Sequence, residues 1–90
     1  MPSRHVTIAN RLGLHARAAG KFVQLAGRYE SRIHVVKGHQ RVDAKSILGL
    51  LALAASQGTA LTLEAEGSDA DAALEALTEL IDGHFGESVD

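Results

Sequence analysis

Gly13-Leu14-His15-Ala16-Arg17 places an imidazole where a helix is expected to begin, with a guanidinium inside the first turn. The amides of a first helical turn have no acceptor within the helix, and they lie at the positive end of its dipole. A neutral imidazole with a free lone pair is a nucleophile. It can attack a phosphoryl group, hold it as a phosphoramidate and release it to another acceptor. The N–H groups of Ala16 and Arg17 would receive the phosphate oxygens, and the Arg17 guanidinium would neutralise charge on the group in transit. The same residues also suit an ordinary helix that starts with histidine and carries a solvated arginine.

Ser46 is a second candidate. Serine is a favoured N-cap and needs no other role there, yet a phosphate on it would also suit a helix N-terminus. The helix it opens is apolar almost all round, through Ile47, Leu48, Leu50, Leu51, Leu53 and Ala54. One face is enough to cover a sheet, so some of these side chains should form an exposed patch for a partner. The remaining histidines, His5, His34, His39 and His84, show no metal-ligand spacing backed by a third ligand. His5 and His34 are expected on the wet face of a sheet, near Glu64 and Glu66. No metal site and no cofactor are indicated.

The elements that must position these groups can be read from periodicity. Val6-Thr7-Ile8 alternates as a short strand, and Asn10-Arg11-Leu12-Gly13 reads as a loop. A helix follows from Ala16 to about Arg28, with Ala19, Phe22, Val23 and Ala26 at helical spacing. Gly20 in its middle is expected to mark close packing, since glycine weakens a helix. Arg32 to Val36 forms a strand, Lys37-Gly38-His39-Gln40 a hairpin turn, and Arg41 to Ala44 the returning strand. A short helix runs from Ser46 to about Ala54. Ala60 to Glu66 alternates as a strand with one buried face. The last helix starts within Gly67 to Asp71, with Ser68 and Asp71 spaced as a capping box. Its apolar stripe is Ala70, Ala73, Leu74, Leu77, Leu80 and Ile81, and Gly83 is its stop. The order β-α-β-β-α-β-α fits an α+β domain with helices on one face of an antiparallel sheet. Pattern alone does not separate it from a ferredoxin-like arrangement.

Ninety residues suit one small domain, residues 1–90, and with no cysteine its apolar core must supply the stability. No apolar leader follows Met1. The longest apolar run, Ile47 to Ala55, is less than half of the ~20 residues that span a bilayer. A cytoplasmic protein is expected, and a monomer is the default. The net charge of −2 conceals an asymmetry: all nine Lys and Arg fall in residues 1–45, and nine of the eleven acids in residues 46–90. The halves could attract each other across the fold, or a basic surface around His15 could steer an acidic partner or a phosphate. Dispersed cations and three aromatic residues fit nucleic acid poorly.

Asn10-Arg11-Leu12-Gly13-Leu14-His15-Ala16-Arg17 resembles the active-site stretch of HPr, the histidine phosphocarrier family of the bacterial phosphotransferase system. Lys45-Ser46-Ile47-Leu48-Gly49-Leu50 is similar to that family's regulatory serine segment. Leu53-Ala54-Ala55-Ser56-Gln57-Gly58, with the following strand and Gly67, is similar to its next stretch. The resemblance covers about residues 4 to 86. It implies an open-faced β-sandwich, a four-stranded antiparallel sheet in order 1-4-2-3 with three helices on one face. It further implies a phosphocarrier rather than an enzyme. His15 would take a phosphoryl group on Nδ1 from phospho-Enzyme I and pass it to an A-type domain of Enzyme II, with Arg17 assisting. Ser46 would be the residue that an HPr kinase/phosphorylase modifies, and Ile47, Leu48 and Leu51 would be partner contacts.

The family commonly has proline after the active-site arginine, whereas this chain has Ala18. A first-turn proline only fixes φ and removes an N–H that had no partner, so the site should work without it. The alanine form resembles the nitrogen-related NPr carriers and other proteobacterial-type members more than sugar-uptake HPr. The alternative from another class is a regulatory protein-binding module controlled by phosphorylation at Ser46, with His15 vestigial.

Overall fold

The computed structural model describes residues 1–87. Strands β1 (Ser3–Thr7), β2 (Arg32–Lys37), β3 (Gln40–Asp43) and β4 (Ala60–Glu66) form one antiparallel sheet in the order β1-β4-β2-β3. Helices α1 (Ala16–Ala26), α2 (Ile47–Ala52) and α3 (Ala70–Asp82) complete the order expected from periodicity, and a single 3-10 turn, His84–Gly86, follows α3. This α+β open-faced sandwich is the topology implied by the family resemblance.

The period-two pattern of β2 and β4 separates a core face from an open face. Val6, Ile33, Val35, Leu61, Leu63 and Ala65 are buried beneath the helices. On the open face, His34 is registered between Asp43 and Glu64, while His5 pairs with Thr62 and bonds its hydroxyl through Nδ1 at 3.1 Å. Arg41 bonds Glu64 at 3.0 Å. Beneath the sheet, α1 contributes Ala18, Ala19, Phe22 and Ala26, and α3 contributes Ala70, Ala73, Leu74, Leu77 and Ile81. Val23 and Leu80, expected on those stripes, are half-buried at their margins. No helix among the described residues is long and apolar enough to cross a membrane.

Several boundaries differ from the periodic reading for local reasons. β1 begins at Ser3 and ends at Thr7. Ile8 leaves the strand but still bonds Thr59 O at 2.9 Å and accepts from Gly58 N at 2.8 Å. α1 ends at Ala26 rather than Arg28 because Gly27 caps it, and Arg28 and Tyr29 turn back onto Leu25 O and Ala26 O. α2 stops at Ala52, and Ala54 then takes φ +50°. β3 runs from Gln40 to Asp43, so the tight turn is Gly38-His39, with Gly38 at φ +59°.

Two sequence expectations fail. Nothing lies within 4 Å of where a Cβ on Gly20 would sit, so close packing does not explain this glycine. Nor does a capping box open α3. Asp69 is the N-cap, but its side chain makes no cap bond. Its carboxylate instead accepts from Glu30 N at 2.9 Å, from Ser31 N at 3.0 Å and from the Ser31 hydroxyl. Gly67, at φ +145°, lets this junction close, since a Cβ there would stand 2.6 Å from Ser31 Oγ. A long-range tie has displaced the local motif.

These two sites make opposite stability predictions. Gly20→Ala should stabilise the protein by about 0.5–1 kcal/mol, because alanine fits the open position and relieves the helix penalty. A urea midpoint equal to or below wild type would contradict this. The hydrogen bond from Ser31 and the amides of Glu30 and Ser31 hold Asp69 below its ordinary value of 3.8. The folded state therefore releases this proton more readily than the unfolded chain. The stabilisation is present above the unfolded value and lost as pH falls through the folded one. Asp69→Asn should lower the urea midpoint at neutral pH, with the deficit shrinking in strong acid. A pH-independent deficit would show that the carboxylate charge plays no part.

Candidate functional site

His15 occupies the N-cap of α1 with extended backbone, φ −81° and ψ 179°, and its side chain makes no cap bond. The approach to it is shaped by a close crossing of two loops. Gly13 has φ +69°, and a Cβ there would lie 2.6 Å from Ala55 O and 2.9 Å from Ser56 Cα. Leu14 N then bonds Ala55 O at 2.8 Å, and the buried Leu14 side chain anchors the chain as it enters α1. The imidazole is thus free of the cap role and available to another group.

That group is Glu87, seventy-two positions away in sequence. His15 Nε2 is bonded to Glu87 Oε2, with the two side chains 29 % and 15 % exposed. Glu87 Oε1 accepts from Asn10 Nδ2 at 2.9 Å, and the same nitrogen donates to Gly13 O at 2.8 Å. Asn10 is buried, and its Oδ1 has no partner among the described residues. Burial of the Glu87 carboxyl works against its charge. The bonds from His15 and Asn10, with the charges of His15 and Lys21, outweigh that and hold it below the ordinary glutamate value of 4.5.

Delivering Glu87 to this point takes an unusual backbone. His84, Phe85 and Gly86 have φ of +58°, +54° and +75°. A left-handed conformation costs a non-glycine residue roughly 1–2 kcal/mol. Phe85 offsets this by inserting fully into the core, and Lys21 Nζ donates to Phe85 O at 2.6 Å. Neither Glu87, Asn10 nor Lys21 stood out in the sequence as a site residue. Asn10 lies within the Asn10–Arg17 motif, which was the signal that could have found it.

An open cleft of about 740 Å³ lies beside the imidazole, lined by Arg11, Leu12, His15, Arg17, Lys21, Gly86 and Glu87. Ala16 and Arg17 are exposed at the head of α1. The structure therefore brings His15 and Arg17 together in a basic concavity suited to an anionic group, with Ala16 exposed between them in sequence at the head of α1. Ser46 stands apart as N-cap of α2, its Oγ accepting from Gly49 N at 3.0 Å. Ile47 and Leu48 are 43 % and 81 % exposed, Leu51 is half-buried, and Leu50 and Leu53 are buried. Leu12, on the His15 loop, is also exposed, at 68 %.

The family signature described as the PTS HPr component phosphorylation site matches residues 2–83. The chain belongs to the HPr family. The phosphocarrier protein HPr of Neisseria meningitidis serogroup A is 49 % identical over 87 residues, covering 97 % of this chain and 98 % of that protein. The phosphocarrier protein NPr of Shewanella violacea is 48 % identical over 85 residues, covering 94 % and 93 %. A solved HPr structure from Thermoanaerobacter tengcongensis superimposes with a TM-score of 0.94 at 45 % identity, covering 98 % of this chain and 99 % of that one. As an HPr-family member, the chain is a phosphocarrier component of the phosphotransferase system. Relatives named HPr and NPr match it almost equally well.

Proposed function

We propose that residues 1–90 act as one phosphocarrier domain that accepts a phosphoryl group on His15 from phospho-Enzyme I and relays it to an A-type domain of Enzyme II. The observation that carries this reading is the placement of the His15 imidazole beside a cleft lined by Arg11, Arg17 and Lys21 at the head of α1. Nδ1 attacks phosphorus, and the amides of Ala16 and Arg17 and the Arg17 guanidinium receive the phosphate oxygens. The carrier is a protein substrate of its partners and not itself an enzyme. It works in the cytoplasm as a monomer, without cofactor or metal, through weak and rapidly exchanging contacts.

Docking falls to the exposed apolar surface beside the site, with Ile47, Leu48 and Leu51 on α2 as contacts. Ser46 lies at the edge of that surface and is the position at which an HPr kinase/phosphorylase would act. A phosphate there introduces charge into an apolar contact, which a partner must desolvate.

Two experiments test this reading. Incubation with phosphoenolpyruvate and Enzyme I should add one acid-labile phosphoryl group to wild type and none to His15→Ala. Arg17→Ala should remain folded but accept the group about tenfold or more slowly, for loss of one charge-assisted contact. No adduct on wild type would favour the regulatory module instead. Ser46→Asp should weaken Enzyme I binding by about tenfold, equivalent to about 1.4 kcal/mol. Unchanged affinity by titration calorimetry would place the docking surface elsewhere.

A further inference from the structure

Asn10 and Glu87 impose a constraint on the His15 ring that helix and sheet do not. The Asn10 amide cannot be turned end for end without loss. Its Nδ2 donates to Gly13 O at 2.8 Å and to Glu87 Oε1 at 2.9 Å, and the reversed amide would set Oδ1 against two acceptors. Oε1 of Glu87 is thereby taken as an acceptor, and Oε2 meets Nε2 of His15. An ionised carboxylate can only accept hydrogen bonds, so the proton between the pair is the one on the ring. The arrangement is also well anchored. Asn10 is 1 % exposed, Phe85 is 1 % exposed, and Lys21 holds the Phe85 carbonyl two residues before Glu87.

We propose that Glu87, held by Asn10, is a positioning residue that keeps the proton of neutral His15 on Nε2 and so leaves the lone pair on Nδ1. This rests on the carrier reading above and deepens it. In the accepting step the Nδ1 lone pair forms the N–P bond. The donor's bond to phosphorus breaks, and that electron pair leaves with the donor. No proton moves from Nε2, so the ring becomes cationic while facing the Glu87 carboxylate. In the forward step the acceptor's lone pair forms its bond to phosphorus. The N–P bond breaks, its pair returns to Nδ1, and the ring is neutral again with Nε2 still protonated. Arg11, Arg17 and Lys21 line the same cleft as His15 and Glu87.

The geometry makes an unusual ordering of variants. In Glu87→Gln the single amide oxygen is claimed by Asn10, so the amide nitrogen is turned towards His15. It then donates to Nε2 and drives the ring proton onto Nδ1, the atom that must attack. Glu87→Ala merely releases the ring. An isosteric change should therefore be more damaging than a truncation, for the same reason that an amide beside a triad histidine fixes the wrong tautomer.

The test uses the full chain with ¹⁵N-labelled histidine, at about pH 9, where free imidazoles are neutral. Long-range ¹H–¹⁵N spectra of the unphosphorylated protein should show His15 protonated at Nε2 in wild type, at Nδ1 in Glu87→Gln and at both in Glu87→Ala. Backbone spectra confirm that both variants are folded. Single-turnover transfer from phospho-Enzyme I should be slower in Glu87→Gln than in Glu87→Ala by about tenfold or more. A shared tautomer in wild type and Glu87→Gln, or faster transfer in Glu87→Gln than in Glu87→Ala, would overturn the proposal. The tautomer measurement needs no donor. It decides the role of Glu87 even if wild type accepts no phosphoryl group, a result that would overturn the carrier reading alone.

Discussion

The amide of Asn10 ties the active loop to Glu87 after the last helix, and through Glu87 to His15 at the head of α1. Its nitrogen bonds the Gly13 carbonyl and one oxygen of Glu87, and the other oxygen of Glu87 reaches His15. Among the described residues, Asn10 and Ser31 are the buried polar ones in an otherwise apolar core. Leaving a buried amide nitrogen without acceptors is costly, so the two bonds from Asn10 Nδ2 favour the loop conformation that makes them. That loop presents the imidazole at the mouth of α1 without using it as a cap.

The fold supplies rigidity on one side of the site and access on the other. Leu14, Ala18, Ala19 and Phe22 bind the loop and α1 to the core, whereas Ala16, Arg17, Ile47 and Leu48 face outwards. Gly13 permits the two loops to cross where a side chain would collide with the Ala55 carbonyl. An open cleft of this kind does not retain a phosphoryl group by enclosure, and it lets a partner approach the ring directly. In the proposed step, the carboxylate of Glu87 compensates the positive ring from its Nε2 side, away from the attacking Nδ1.

What was legible in the sequence followed from local rules. The alternation of Ala60 to Glu66, the apolar stripe of α3 and the Ser46 cap appear in the structure where periodicity and capping chemistry place them. The position of His15 at the start of α1 was equally legible, since glycine and the onset of helical spacing flank it. Sequence reading failed where a distant residue outbid a local motif. Asp69 abandons the cap of α3 for Ser31. Gly20 is a different case, a glycine with no close neighbour to account for it. Glu87 was illegible for a sharper reason. Its arrival at His15 depends on three successive positive-φ residues, two of them not glycine, which no local preference predicts.

The most direct test of this account is the identity of the ring atom that carries the phosphoryl group. ³¹P–¹⁵N coupling in the phosphorylated protein, prepared with ¹⁵N-labelled histidine, identifies that atom without mutation. The account predicts a single adduct bonded through Nδ1 of His15, with the proton retained on Nε2. A phosphorus coupled to Nε2, or an adduct on any other residue, would contradict it.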